Sequence, residues 1–149
     1  MKVCIVYVST HHGNTKTVAE EMARAVSGET VDLRRTPRPE LSGYDLVGVA
    51  SGVYFQTLHA EARRFLDQTV FAPGQRVFFV ATCGLPYRDY TKKEKDKLAK
   101  RGVPCAGSFQ CRGYDTYGLF GRLGGIAKGH PNGRDLARAR RFIQQLAAG

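Results

Sequence analysis

Val3-Cys4-Ile5-Val6-Tyr7-Val8, followed by Ser9-Thr10-His11-His12-Gly13-Asn14-Thr15, is the stretch that decides the fold. The first six residues form an unbroken apolar run rich in β-branched side chains. That is the composition of a strand buried on both faces, as in a parallel sheet. Beyond it, Val18, Ala19, Met22, Ala23 and Val26 recur at helical spacing, while Lys16, Glu20, Glu21 and Arg24 fall largely on the other side. Thr10 to Thr15 therefore marks the point where a strand ends and a helix begins. Hydroxyls, an amide, a glycine and the N–H groups of a first helical turn meet there. The helix dipole adds partial positive charge, so the junction suits a phosphate. The plainer reading of the same spacing is that Asn14 or Thr15 caps the helix and the histidines are solvated.

Working outward, Ser27-Gly28 is a stop for this first helix. Thr30 to Arg34 alternates polar and apolar residues like a half-exposed edge strand, and Arg35-Thr36-Pro37-Arg38-Pro39 is a stiff connection. Tyr44 to Ala50 reads as a second core-type strand, whose Gly48 permits close approach of a helix. It runs into Ser51-Gly52-Val53-Tyr54-Phe55, and a helix follows over roughly Ala60 to Thr69, with His59 at its start. Gln75 to Thr82 is a third buried strand, leading into Cys83-Gly84-Leu85-Pro86-Tyr87. Thr91 with Glu94 has the spacing of a capping box for a helix carrying Leu98 and Ala99 and stopping at Gly102. Val103 to Cys111 looks like the other edge strand. Asn132 caps a last helix with Leu136, Ala139, Ile143 and Leu146 on one face.

Five strands alternating with four helices imply an α/β fold, a doubly wound five-stranded parallel sheet with helices on both faces. With strands two and five as edges, the order is 2-1-3-4-5. The ligand crevice of such a sheet lies outside the carboxyl ends of strands one, three and four. A single domain is expected, and the sequence has no internal repeats.

The 42% hydrophobic content of this 149-residue chain suits a globular protein and excludes a disordered one. No apolar run approaches membrane-spanning length and no signal-peptide layout opens the chain, so membrane insertion is not expected and a cytoplasmic location is. Cys4, Cys83, Cys105 and Cys111 show neither Cys-x-x-Cys pairing nor a zinc pattern, so neither a metal site nor disulfides are expected. The net charge of +10 points to an acidic protein partner, to nucleic acid, or to solubility alone.

The strand followed by Thr10-x-x-Gly13-x-Thr15, with Ala19 four residues on, resembles the phosphate loop of the flavodoxin family. Val8 and His12 depart from that pattern, since an aromatic residue and a threonine are usual there. Ser51-Gly52-Val53-Tyr54-Phe55 and Thr82-Cys83-Gly84-Leu85 with Tyr87 resemble the two flavodoxin loops that sandwich an isoalloxazine ring. The resemblance implies FMN as cofactor, with the phosphate held by Thr10, His11, His12, Gly13, Asn14 and Thr15. Tyr54, Phe55, Leu85 and Tyr87 would be the ring's walls, and Gly52 the peptide whose carbonyl turns toward it. Cys83 is then either a small residue packed on the ring or a redox thiol. Segments around Cys111 to Thr116 and Gly124 to Asn132 resemble a subgroup of small, mostly uncharacterised flavodoxin-like proteins. A long glycine-rich stretch from Arg112 to His130 is expected to fold over the flavin edge and help choose the partner.

Other parallel-sheet families fit less well. The first turn lacks Gly-x-Gly-x-x-Gly, histidines stand where a receiver domain has acids, and Cys83 with Arg88 encloses one residue too few for a tyrosine-phosphatase loop. The expectation is an FMN-binding electron-transfer protein, a monomer or weak dimer, serving a redox partner with an acidic surface. A small FMN-dependent oxidoreductase of quinone-reductase or protoporphyrinogen-oxidase type is the alternative. Less expected is nucleic-acid binding through Lys92 to Arg101 and Arg138 to Arg141. No side chain reads as a catalytic acid, base or nucleophile.

Overall fold

Alternate residues of the first strand part to opposite sides of the sheet, and this builds both hydrophobic cores. The computed structural model describes residues 1–10, 13–114 and 127–149. In it Val3–Val8 forms β1, buried throughout. Val3, Ile5 and Tyr7 pack with Val18, Ala19 and Met22 of helix α1 (Asn14–Ala25) and with Ala139 and Ile143 of helix α4 (Gly133–Ala148). Cys4, Val6 and Val8 face the other way, onto Ala62, Phe65 and Leu66 of α2 (Ala60–Gln68) and Leu98 of α3 (Lys92–Lys100). A two-sided apolar strand thus requires two helical layers, each removing its face from water.

The remaining strands are β2 (Glu29–Asp32), β3 (Leu46–Tyr54), β4 (Thr57–Leu58), β5 (Arg76–Cys83) and β6 (Cys105–Arg112). The five long ones run in the order β2-β1-β3-β5-β6, every pair parallel, with β2 and β6 at the edges. This is the expected doubly wound order. The addition is β4, a two-residue strand that folds back antiparallel on the end of β3.

Three local expectations are corrected. The segment Ser51 to Tyr54 continues β3 in register with β5 as far as Gly52 opposite Thr82, and only Phe55 and Gln56 form a turn. Both have positive φ, 49° and 65°, the backbone of a two-residue hairpin whose twist matches its strands. Thr91 and Glu94 make no capping box, because the Asp89 carboxylate accepts both the Thr91 N–H (2.9 Å) and its hydroxyl (2.6 Å). Gly48 admits a ring and not a helix. A Cβ there would lie 2.3 Å from the end of the Phe78 ring on the neighbouring strand, and Phe78 in turn meets Phe142 of α4 edge-on at 5.9 Å.

The helix ends follow the sequence more closely. Asn132 and Asp135 form a reciprocal capping box at α4. At the end of α1, Ser27 takes the left-handed turn (φ 52°), and Gly28 lets β1 come close, since a Cβ would sit 2.9 Å from the Val3 carbonyl oxygen.

Gly48→Ala should therefore destabilise the chain by about 1–3 kcal/mol, as overpacking does. Adding Phe78→Leu to it should recover part of that loss in urea denaturation. A fully stable Gly48→Ala chain would contradict this packing.

Candidate functional site

The carboxyl ends of β1, β3, β5 and β6 surround one cleft. Thr10, Asn14, Thr15, Gly52, Val53, Tyr54, Thr82, Cys83 and Gly84 line it, joined by Gly113 and Tyr114. Nine of the residues singled out from sequence thus come together, from three separate segments.

Backbone geometry starts the site. Gly13 precedes α1 with φ 67°, a left-handed conformation that turns the chain from strand into helix. The Ser9 hydroxyl accepts the Lys16 N–H of this first turn at 3.2 Å, so the cap comes from Ser9 and not from Asn14 or Thr15. Those two residues are used across the cleft. The Thr15 and Thr82 hydroxyls meet at 2.8 Å in the buried floor, pinning the first turn of α1 to the end of β5. Asn14 donates from Nδ2 to the Tyr114 carbonyl at 2.8 Å, pinning the same turn to the chain beyond β6. Gly113 leaves room for this bond, since a Cβ would come within 2.6 Å of that amide nitrogen and push the Asn14 side chain aside. Its own N–H donates to the Cys83 carbonyl at 2.9 Å. A Thr10–Tyr54 hydroxyl contact crosses the other wall. Among the described residues no lysine or arginine lines this cleft. Its polar groups are hydroxyls, amides and a helix N-terminus, a neutral donor set with dipolar positive charge.

The outer rim is apolar. Phe55 is 81% exposed, Tyr87 66% and Leu85 43%, so three of the large apolar side chains left in water among the described residues stand at this end of the sheet. The Tyr87 loop is held from below by Tyr90, whose hydroxyl donates to the Leu85 carbonyl at 2.8 Å and whose ring meets Tyr87 edge-on at 5.9 Å. Burial first, then the Cys83 and Tyr87 groups, push the Tyr90 phenol up to about 12. Arg88 reaches Gln56 at 2.8 Å and so ties this loop to the β3–β4 turn.

Some expected site residues do other work. Ser51 is fully buried outside the cleft lining, donating to the Gly52 carbonyl at 2.7 Å and accepting the His59 N–H at 2.9 Å. The Gly52 carbonyl expected to turn toward a ring is thus engaged by that hydroxyl within a paired strand. Phe55, Leu85 and Tyr87 stand at the rim and not in the cleft lining. His11 and His12 lie outside the described residues, as does the 115–126 part of the glycine-rich stretch. Gly113 and Tyr114, near the start of that stretch, reach the cleft, although no motif in the sequence singles them out within it. The sequence signal for them was position, directly after the last strand of a sheet whose other strand ends carry the site.

His59 begins α2 as expected, its Nδ1 accepting the Glu61 N–H at 3.0 Å. Burial pushes its imidazole below the ordinary range; Glu61 opposes this, while Arg34, Arg63 and Arg64 reinforce it. Burial likewise raises the thiols of Cys4 to about 11 and Cys111 to about 12. The described residues contain no group of three or more His, Cys, Asp or Glu able to hold a metal ion.

With this geometry established, comparison with known proteins defines the class. Residues 5–123 match the flavodoxin domain model, and the chain belongs to the flavodoxin family. An uncharacterised protein of Methanocaldococcus jannaschii is 34% identical over 148 residues, 98% of each chain. Among solved structures, oxidised flavodoxin 2 from Bacillus cereus superposes with a TM-score of 0.72 at 16% identity over 99% of both chains. A flavodoxin from the domain Archaea gives 0.67 at 19% identity, covering 99% of this chain and 97% of that one. Rubredoxin oxygen:oxidoreductase from Desulfovibrio gigas gives 0.70 at 14% identity, this chain corresponding to 35% of that one. At such identities these structures share the fold with this chain.

Two outcomes test the site's construction. Thr15→Val and Thr82→Val should each cost about 1–3 kcal/mol by stranding the other hydroxyl, and the double variant less than their sum. Strict additivity would contradict the pairing. For His59, the unfolded chain takes up the proton first, so stability falls as pH drops through 6.5 toward the lower folded value. His59→Asn, which retains an acceptor for the helix N-terminus, should remove that part of the acid sensitivity. Identical pH dependence of the urea midpoint in both chains would show that His59 does not contribute.

Proposed function

We propose that the chain binds FMN non-covalently in this cleft and carries electrons between redox proteins. The observation that carries the reading is the junction of two unlike surfaces at one place. A polar pocket at a helix N-terminus opens onto a rim of exposed aromatic and aliphatic side chains. A phosphate attached to a flat apolar ring system matches both in the right sequence.

The donor set fits that group. The N–H groups of the first turn of α1, that of Thr15 included, and the Thr10 hydroxyl offer donors to a phosphate, and Tyr54 lines the cleft beside them. Gly52 and Gly84 keep two strand ends bare where a flat ring needs close backbone approach. FMN, when bound, supplies the chemistry of taking up and releasing one or two electrons. The chain's own residues bind and orient it, and the apolar rim keeps water from one edge. Among the described residues the cleft lining holds no His, Asp, Glu, Lys or Arg, and its one thiol, Cys83, donates to the Cys111 carbonyl at 3.6 Å, which supports a carrier over an enzyme.

The net charge of +10 supports a partner with an acidic docking surface, met at rates that electrostatics raises and salt lowers. The lysines of α3 lend less to nucleic-acid binding than their number suggests. Lys92 pairs with Asp96 at 2.9 Å, Lys95 with Asp89 at 2.5 Å, and Lys97 with Glu94 and Asp67 at 3.6 and 3.9 Å.

FMN should bind about a hundredfold more tightly than riboflavin, because charge-assisted hydrogen bonds to the phosphate are each worth about 1.5–3 kcal/mol. Fluorescence-quenching titration measures both, and equal affinities would overturn the phosphate assignment. The rate at which the reduced protein passes electrons to an acidic acceptor should fall steeply with ionic strength. A rate independent of salt would overturn the charge-steered docking.

A further inference from the structure

A second cleft opens on the flank of the β3–β4 hairpin and shares Thr10 and Tyr54 with the first. Phe55, Thr57, Leu58, His59, Ala60 and Arg63 complete its lining, and its cavity volume is about 650 Å³. That is room for a molecule of one or two rings, since ordinary small-molecule sites span about 300–1000 Å³. Its walls combine an exposed aromatic ring, a buried leucine and one cation.

The state of that cation is the informative point. Arg63 is half-buried and braced by its Nε, which donates to the Leu58 carbonyl at 3.2 Å. Both acids of its own helix pair elsewhere, Glu61 with Arg64 at 3.0 Å and Asp67 with Lys97 at 3.9 Å. Among the described residues the two Nη groups of Arg63 have neither an ion pair nor a hydrogen bond. A braced guanidinium with its forked end open is the arrangement that receives a carboxylate or sulfonate in bidentate fashion. Beside it, the His59 Nδ1 accepts the Glu61 N–H. The neutral ring therefore carries its proton on Nε2, a further donor in the same wall.

We propose that this flank cleft is a binding subsite for a small planar organic anion, its apolar body against Phe55 and its acidic group on Arg63. The subsite stands on its own residues. Its meaning, a redox substrate or effector held beside the cofactor, rests on the FMN reading above. It would give the chain a small-molecule ligand in addition to a protein partner.

The probe is 8-anilinonaphthalene-1-sulfonate, with N-phenyl-1-naphthylamine as the same ring system lacking the acid. Equilibrium dialysis of each against the full chain, with and without saturating FMN, separates the sites. One sulfonate should bind per chain in both conditions, and Arg63→Gln should weaken it tenfold or more while leaving the neutral amine unchanged. Phe55→Ser, at a position already exposed to solvent, should weaken both probes. Equal binding of the sulfonate to Arg63→Gln and the parent chain would overturn the proposal, as would its one-for-one displacement by FMN. A chain that fails to bind FMN but still takes the sulfonate through Arg63 would refute the FMN reading and leave the subsite standing.

Discussion

The hydroxyl pair of Thr15 and Thr82, 2.8 Å apart in a floor closed to solvent, is the contact on which the site depends. It holds the first turn of α1 against the end of β5, and with it the direction of the helix dipole. Everything else at this end of the sheet refers to that fixed turn. Asn14, one residue earlier, fastens the chain beyond β6 through the Tyr114 carbonyl. Gly113 is bare so that this can happen. Gly13 supplies a left-handed step at the head of the helix. A buried polar pair of this kind is costly if half-made, so it specifies geometry as much as it stabilises.

The fold was largely legible because its determinants are periodic and local. Val3 to Val8 cannot be satisfied with one helical layer, and the edge character of β2 and β6 shows in their mixed polarity. Boundaries were less legible where tertiary pairing overrode local signals. Ser51 to Tyr54 looks like a loop by composition, yet β5 offers it a continuous partner as far as Gly52, and β4 then pairs beyond. Thr91 and Glu94 have capping-box spacing, but Asp89 reaches the Thr91 groups first. Gly48 was correctly marked as a place of close approach. The approaching group is the Phe78 ring on the next strand, which no one-dimensional pattern reveals.

The site divides in the same way. Residues in the strand–helix junction and at the strand ends came out of the sequence because position in a doubly wound sheet predicts them. Arg63 did not, because its interest lies in what surrounds it: a brace on one nitrogen, the acids of its helix engaged elsewhere, and an exposed aromatic ring in the same cleft. Such an unbalanced charge appears only once partners have been assigned in three dimensions. The same accounting deflates the lysines of α3, which look like a basic patch in sequence and are mostly paired with acids in the fold. Net charge thus speaks to long-range attraction, and the local pairing decides where an anion can rest.

The central claim is that the cleft at the head of α1 is a flavin nucleotide site. The most direct measurement is the visible absorption of the chain purified without added cofactor or after incubation with FMN, followed by denaturation and mass identification of whatever is released. The account predicts flavin absorption while the chain is folded, and FMN as the released species in a one-to-one ratio. A colourless chain that takes up no FMN would contradict it.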